Sequence, residues 1–239
     1  MINSYKNEDI LFLDIETVPQ FESYNQLSDE FKKLWDKKAK KISSEDDSPE
    51  EIYLRAGIYA EFGKIICISV GLIVSKDGRP FFRVKSFASQ NEFELLTDFV
   101  DMLNKFSAKP NATLCAHNGK EFDFPYIARR CLINGIKLPK ILDIAGKKPW
   151  EVMFLDTMEL WKFGDYKHYT SLNLLTHVFN IPTPKDDIDG SQVAEVFYKE
   201  KDLDRIVRYC EKDVLAVAQL FLRYKNEPII DSNNIEVAS

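Results

Sequence analysis

Two carboxylate side chains, Asp14 and Glu16, follow a short apolar run at residues 10–13. The run is preceded by polar residues and predicts a buried strand, along which alternate side chains point to the same face. Two neighbouring carboxylates on such a face repel each other and are costly to remove from water. A cation between them relieves both costs, and oxygen ligands favour Mg²⁺ or Mn²⁺. The pair therefore indicates a metal site at the end of the first strand.

Two more acidic residues, Asp123 and Asp213, are far from the first pair along the chain. Asp123 comes after a short strand pattern at residues 112–116 and just before a helical pattern, which places it near a helix start. Asp213 lies on a long amphipathic helix, predicted from apolar residues that recur at three- and four-residue steps between residues 203 and 221. Tyr209 precedes Asp213 by four residues, so the two side chains are neighbours on that helix.

Each of these patterns also has a structural explanation when it is taken alone. The spacing Tyr-x-x-x-Asp ends at Asp9 and Asp202 as well, which the sequence places in a turn and at the N-cap of the long helix. Asp123 could be a helix-start carboxylate stabilised by the helix dipole, and Asp213 could lie on a solvated helix face. The first pair could be an exposed strand end. Only the order and position of the patterns together favour a common site.

The three patterns resemble the motifs of the DEDDy group of 3′-to-5′ exonucleases, which have a ribonuclease H-like fold. That group is defined by Asp-x-Glu, then by Asn with Phe/Tyr-Asp a few residues later, then by Tyr-x-x-x-Asp. Within it, the chain is most similar to predicted exonucleases related to the proofreading domain of family B DNA polymerases. The matching residues are Asp14 and Glu16, then Asn118 with Phe122 and Asp123, then Tyr209 with Asp213. Supporting stretches at residues 61–69, 154–160 and 189–193 extend the likeness from about residue 9 to about residue 224.

The resemblance implies a set of catalytic and metal-binding residues. It implies that two divalent cations, Mg²⁺ or Mn²⁺, are held roughly 4 Å apart, one activating water and the other stabilising the leaving 3′ oxygen. The metal ligands would be Asp14, Glu16, Asp123 and Asp213. Tyr209 would orient the attacking water or the scissile phosphate, because a phenol with a pKa near 10 is protonated at neutral pH.

The resemblance also implies a substrate and the residues that bind it. The substrate-binding candidates are Thr17, Asn118 and Phe122. Asn118 is equally explained as a turn residue before Gly119, and Phe122 is equally explained as a core residue. The expected reaction is hydrolysis of the terminal phosphodiester at the 3′ end of single-stranded DNA, which releases nucleoside 5′-monophosphates. The alternatives are a 3′-to-5′ exoribonuclease and a catalytically silent nucleic-acid-binding protein. The motifs name no polymerase or other protein partner.

The order of strand and helix patterns predicts an α/β fold, with a mixed five-stranded sheet flanked by helices. Strand patterns lie at residues 10–13, 64–74, 80–87, 112–116 and 152–155, with a hairpin turn at residues 76–79. Helical patterns lie at residues 91–106, from residue 122 onward and at residues 203–221. We expect one exonuclease domain over residues 1–239, with a helical or mobile insertion at residues 19–60 and a tail at about residues 225–239.

Composition limits the nucleic-acid surface and the cellular location. The 239 residues carry a net charge of −6, which argues against a broad phosphate-binding surface and favours weak, distributive binding. Basic clusters at Lys32–Lys41 and at Arg129 and Arg130 are expected to be solvated helix faces. The four cysteines include no Cys-x-x-Cys pair and suit a reducing compartment. With no long apolar run near the N-terminus, we expect a cytoplasmic protein without a membrane partner.

Overall fold

A central mixed sheet of six strands carries the fold in the computed structural model, which describes residues 2–42, 47–76, 78–165, 169–182 and 188–238. The strand order is β5-β4-β1-β2-β3-β6. Strands β2 and β3 are antiparallel neighbours, β1 is antiparallel to β2, and the other neighbouring pairs are parallel. The strands are β1 Ile10–Pro19, β2 Gly63–Lys76, β3 Arg79–Ala88, β4 Thr113–Ala116, β5 Leu155–Asp156 and β6 Ile235–Val237.

Helices cover both faces of this sheet. They are α1 Asp29–Ile42, α2 Glu92–Ser107, α3 Asp123–Ile133, α4 Thr157–Lys162, α5 Leu172–Val178, α6 Val193–Glu195 and α7 Leu203–Tyr224. Alternation along β1 divides the core, because Leu11 and Leu13 pack with residues of α2 and α3 while Ile10 and Phe12 pack against α7. The even-numbered side chains of β1 therefore face α7.

The predicted fold class is confirmed, and four details of the prediction are wrong. All five predicted strands are present, but β6 in the predicted tail pairs with β3 as a sixth. The fifth strand is shorter and later than predicted, at Leu155–Asp156. Strand β1 continues through Pro19, because Ile15 and Val18 keep burying apolar surface after the first apolar run. Asp14 and Glu16 thus lie within β1 rather than at its end.

The fourth error concerns Arg130, which was expected on a solvated helix face. It is only 4% exposed and donates hydrogen bonds to the Glu92 carboxylate and to the backbone oxygen of Ala60 at 2.8 Å. Glu92 also accepts from the backbone N–H of Ile65 at 2.7 Å. A buried ion pair thus joins α2, α3 and the start of β2. Its neighbour Arg129 is exposed as predicted.

The segment at residues 19–60 contains α1 and a 3-10 helix, Tyr53–Ile58. Trp35 of α1 is fully buried, and its indole N–H donates to the backbone oxygen of Pro49 at 2.7 Å. A Cβ added at Gly57 would come within 3.1 Å of the backbone of Val18, so the 3-10 helix runs close against β1. This segment therefore forms a wall beside the end of β1.

Several predicted features fall outside the described residues. They are most of the least structured stretch at residues 43–49, the hairpin-turn residue Asp77 and part of the proline break at residues 182–184. Within the part of the chain that the structure describes, no helix combines the length and apolar character needed to cross a bilayer.

Candidate active site

The site begins on β1, where Asp14 and Glu16 point to the face that α7 covers. Their backbones pair with Ser69 and Cys67 of β2, and the register shifts between Glu16 and Thr17. Glu16 is 7% exposed, and Asp14 is partly buried. Two carboxylates on adjacent same-face positions of an internal strand therefore lie together under a helix, as the period of two predicts.

Asp123 approaches this pair from α3, which packs on the face of the sheet opposite α7. It is the first residue of α3 and is only 3% exposed. The backbone N–H of Ile15 donates to its carboxylate, so Asp123 is bonded to β1 between the two acids of the first motif. Strand β4 pairs with β1 only at Ile10, Leu11 and Phe12. The hydrogen bond from Ile15 to Asp123 lies beyond these paired residues.

Asp156, which the motifs did not single out, holds the loop that leads to Asp123. Its buried carboxylate accepts backbone N–H bonds from Asn118 and Lys120 at 3.0 Å. It also caps α4 by accepting from the N–H groups of Met158 and Glu159. The sequence could have indicated this role, because Asp156 lies at the end of a strand pattern and just before a helical pattern.

Helix α7 supplies Tyr209 and Asp213. Both are partly buried, and the Tyr209 hydroxyl donates a hydrogen bond to the Asp213 carboxylate. Burial, followed by the charge of Asp213, raises the pKa of Glu16 on β1, so the two acids lie close enough to interact electrostatically. The helix is anchored by Asp202, which accepts from the N–H of Arg205 at 3.0 Å and confirms the predicted N-cap.

The four carboxylates form one electrostatic cluster. Burial raises the pKa of the Asp14 carboxyl well above its ordinary value, and the charges of the other three acids raise it further. Burial also raises the pKa of Glu16, with Asp213 as the next cause. Burial raises the pKa of Asp123 to about 7, although the N–H bonds to its charged form oppose the rise. Such a cluster is unfavourable when fully ionised, and cations would relieve it.

A thiol lies within this cluster as well. Cys210 follows Tyr209 on α7, and its Sγ is 3.5 Å from both the backbone oxygen and Oδ2 of Asp14. Ligand atoms of Asp14, Glu16 and Cys210 all lie within 4.8 Å of one another. The donor set nearest the centre is dominated by carboxylate oxygens, which fits hard divalent cations. Burial raises the pKa of the Cys210 thiol well above its ordinary value, so it is a hydrogen-bond donor to Asp14.

A pocket of about 460 Å³ opens beside Glu16. Thr17 and Phe122 line it, together with Leu54 and Ile58 of the 3-10 helix. Phe122 directly precedes Asp123, and Thr17 also bonds the hydroxyl of Tyr126. Two of the three predicted substrate-binding residues therefore face one pocket at the acids. Its mostly apolar lining and its size suit a small organic group.

Asn118, the third predicted substrate-binding residue, lines a second cleft instead. Its backbone has φ of 62°, a left-handed conformation that Asn tolerates, so the turn explanation of this residue holds as well. Its Oδ1 atom is buried and has no hydrogen-bond partner among the described residues. Buried acceptors without a partner are rare in proteins and mark sites where a missing group belongs.

Other tyrosine and histidine side chains near the site have structural roles. Tyr198, of the pattern that ends at Asp202, donates its hydroxyl to the backbone oxygen of Pro19 at 2.6 Å. His117 bonds Thr157 Oγ1 and the backbone oxygen of Thr170, each at 2.9 Å, and burial lowers its pKa. His168 lies outside the described residues.

Comparison with known families identifies the family of this chain. A family described as a predicted 3′-5′ exonuclease related to the exonuclease domain of PolB matches residues 58–230. The chain belongs to this family. The matched region contains Asp123, Tyr209 and Asp213, whereas Asp14 and Glu16 precede it.

Individual relatives are DNA polymerases. The DNA polymerase of Pyrococcus glycovorans is 24% identical over 143 residues, which cover 54% of this chain and 18% of that protein. DNA polymerase 1 of Pyrococcus abyssi is 25% identical over 181 residues, which cover 67% of this chain and 22% of that protein. The chain therefore spans about a fifth of the length of these relatives.

A solved structure shows the same fold. The family B DNA polymerase from the hyperthermophilic archaeon Pyrobaculum calidifontis superposes with a TM-score of 0.54 and 18% sequence identity. The match covers 90% of this chain and 24% of the polymerase. The likeness confirms the mixed α/β sheet of the ribonuclease H-like type.

Proposed function

We propose that this PolB-related exonuclease chain is a metal-dependent 3′-to-5′ exonuclease that hydrolyses the terminal phosphodiester of single-stranded DNA and releases nucleoside 5′-monophosphates. The observation that carries the proposal is the meeting of Asp14, Glu16, Asp123 and Asp213 from three elements of the fold, next to a pocket. Such a group of buried and partly buried acids destabilises a metal-free protein and has no use in a purely structural role.

The four acids are the proposed ligands of two divalent cations, Mg²⁺ or Mn²⁺. When bound, the cations would supply an activated water and neutralise charge on the scissile phosphate and the leaving oxygen. Asp123 is held by the Ile15 N–H, and Asp14 by the Cys210 thiol, so both carboxylates are oriented before any ligand arrives. Preorganised groups of this kind need little rearrangement during reaction.

Tyr209 is proposed to position the reacting water or the phosphate through its hydroxyl. Burial, followed by the charges of Asp213, Glu16 and Asp14, raises its pKa well above the ordinary value. The phenol therefore keeps its proton at neutral pH and acts as a hydrogen-bond donor rather than as a base.

The pocket beside Glu16 is the proposed site of the 3′-terminal nucleotide. Thr17 and Phe122 are then substrate contacts, with the Phe122 ring available to stack on the base or sugar. RNA is the second candidate substrate, since the sugar is read only by contacts to its 2′-hydroxyl. A silent binding protein is disfavoured, because all four acids and Tyr209 are present together. Like the activity, the cytoplasmic location is proposed, and it rests on four free buried thiols.

The test is degradation of matched 5′-labelled DNA and RNA single strands with Mg²⁺ or Mn²⁺. We expect a ladder of shortened products from DNA and at least about 100-fold slower degradation by Asp14→Asn or Asp213→Asn. The matched controls are Asp9→Asn and Asp204→Asn, which change acids outside the site and should retain activity. Absence of a ladder from both strands with both metals contradicts the proposal. Activity retained by Asp14→Asn contradicts the site.

A further inference from the structure

The second cleft, on the Asn118 side of the site, is unexplained by the chemistry of the acids. It has a volume of about 370 Å³. Its floor is apolar and is formed by Ile144, Val152, Phe154 and Met158. The cleft borders the loop that Asp156 holds and that leads to Asp123, so it is joined to the acids by a few residues of anchored backbone.

Ammonium groups surround this apolar floor. Lys120, Lys147 and Lys162 line the cleft, with the carboxylates of Glu121 and Glu159 among them. Lys120 pairs with Glu159. Across the described ranges, neither Lys147 nor Lys162 takes part in an ion pair.

The loop beside the cleft is basic, although the chain as a whole is acidic. Residues 137–148 contain four lysines and one aspartate, whereas the whole chain has a net charge of −6. A local excess of positive charge on an acidic protein favours a negatively charged partner at that place. An apolar floor with a cationic rim suits a nucleic acid, which has both aromatic bases and phosphates, better than it suits an acidic polypeptide.

An exposed tryptophan completes the surface. Trp150 follows Pro149 of the cleft, is 75% exposed, and has the ammonium of Lys148 at 5.2 Å from its ring centroid. A large indole that buries little surface contributes little to folding, and in a basic setting it is an effective stacking platform for a nucleobase.

We propose that this cleft, with Trp150 at its rim, binds the nucleotides that precede the 3′ end of a single-stranded nucleic acid. The inference rests on the proposed function and specifies its substrate. If the terminal nucleotide occupies the pocket beside Glu16, the preceding nucleotides must extend away from that pocket. The cleft on the Asn118 side provides a cationic surface for them. Lys120, Lys147 and Lys162 then contact phosphates, and Trp150 stacks on a base. The substrate is thus a strand of several nucleotides rather than a dinucleotide.

The test compares binding with hydrolysis of a long and a short substrate. Binding of a fluorescent ten-residue oligothymidylate is measured by anisotropy with Ca²⁺ in place of the catalytic metal, as a function of salt. Hydrolysis is measured on the same oligonucleotide and on the p-nitrophenyl ester of thymidine monophosphate, which is too short to reach the cleft. The variants are Lys147→Glu/Lys162→Glu and Trp150→Ala. The matched controls are Lys37→Glu/Lys40→Glu on α1 and Phe93→Ala on α2, which change exposed residues elsewhere.

We expect both cleft variants to weaken oligonucleotide binding by about 10-fold or more, while the control variants stay within about twofold. The lysine variant should also reduce the slope of log affinity against log salt by about 1.4. Hydrolysis of the small ester should be unchanged in all of them.

Three results would overturn the proposal. The first is cleft variants that bind the oligonucleotide as tightly as the unchanged protein does. The second is control variants that weaken oligonucleotide binding as much as the cleft variants do. The third is a ten-residue polyglutamate that binds the cleft more tightly than the oligonucleotide. Failure of the proposed function is distinguishable. In that case the unchanged protein hydrolyses neither substrate, while the dependence of binding on the cleft can still be measured.

Discussion

Tyr209 and Tyr198 show at the residue scale how one short pattern takes two roles. Both lie four residues before an aspartate. Tyr209 donates to Asp213 within the acidic cluster, whereas Tyr198 donates to the backbone of Pro19 and its aspartate caps α7. The position of each pattern in the sequence distinguished the two roles. Asp202 was correctly predicted as an N-cap, because it directly precedes a long amphipathic helix.

Removal of the Tyr209 hydroxyl therefore has a specific expected effect. Tyr209→Phe should lower kcat by about 10- to 100-fold, because the group that positions the reacting atoms is lost while the acids remain. The affinity for Mn²⁺, measured from the rise of the unfolding temperature with Mn²⁺ concentration, should stay close to that of the unchanged protein. Tyr198→Phe is the control and should keep its kcat. A full rate in Tyr209→Phe would remove this residue from the proposed site.

Asp156 is a second residue whose change gives a sharp expectation. Its carboxylate accepts four backbone N–H bonds from the loop before Asp123 and from the start of α4. Asp156→Asn should lower the free energy of unfolding by about 3 kcal/mol, since bonds to a charged acceptor are lost in a buried place. Urea denaturation measures this, with the exposed Asp143→Asn as control. Equal stability of the two variants would show that the four bonds are dispensable.

At the scale of elements, the ion pair between Arg130 and Glu92 ties α3 to α2 and to β2. Arg130→Ala should lower the free energy of unfolding by about 3–5 kcal/mol, because it leaves the Glu92 carboxylate buried without its partner. Arg129→Ala changes the exposed neighbour and should have an effect below about 0.5 kcal/mol. Urea denaturation of both variants makes the comparison. Similar losses for the two would mean that burial of the pair is energetically unimportant.

The elements also show what the sequence could predict and what it could not. The strong periodicity of α7 and the hydrophobic pattern of β2 and β3 depend on local residue order, so these elements were predicted closely. The length of β1 and the pairing of β6 with β3 depend on strands that are distant in sequence. A short local pattern carries no information about those partners. Arg130 was misplaced for the same reason, because its burial requires Glu92, which lies 38 residues away.

The same limit applies to the site. The motif acids were found because their residue types and spacings are local, and the structure places them together. Asp156 and Cys210 were missed as site neighbours, because their contacts with Asn118 and Asp14 join strands and helices that are distant in sequence. The 3-10 helix at Tyr53–Ile58 lay in a segment whose polar composition carried no clear pattern.

For the whole molecule, the acidic cluster makes stability depend on pH. The pKa of Asp123 is raised to about 7, and those of Asp14 and Glu16 are raised too, so the folded state binds more protons than the unfolded chain above about pH 4. Stability from these groups is fully present below about pH 4 and is lost as the pH rises through about 7.

The expected outcome is a metal-free protein whose free energy of unfolding falls by more than about 1 kcal/mol between pH 5 and pH 8. Mg²⁺ or Mn²⁺ should stabilise it more at pH 8 than at pH 5. His117 acts in the opposite direction below about pH 6.5, since burial lowers its pKa. Urea denaturation of Asp123→Asn, which leaves His117 unchanged, isolates the acidic contribution and should show a weaker pH dependence. Asp204→Asn is the control, and an equal pH dependence in both variants would contradict this account.

The hydrogen bond from Ile15 to Asp123 has a spectroscopic consequence. This amide lies on β1 between Asp14 and Glu16, beyond the stretch that pairs with β4. Its proton resonance should move when the Asp123 carboxyl loses its proton, and again when a cation draws electron density from the same oxygens. A single ¹⁵N label at position 15 therefore reports the charge state of the buried acid directly, without any nucleic acid present.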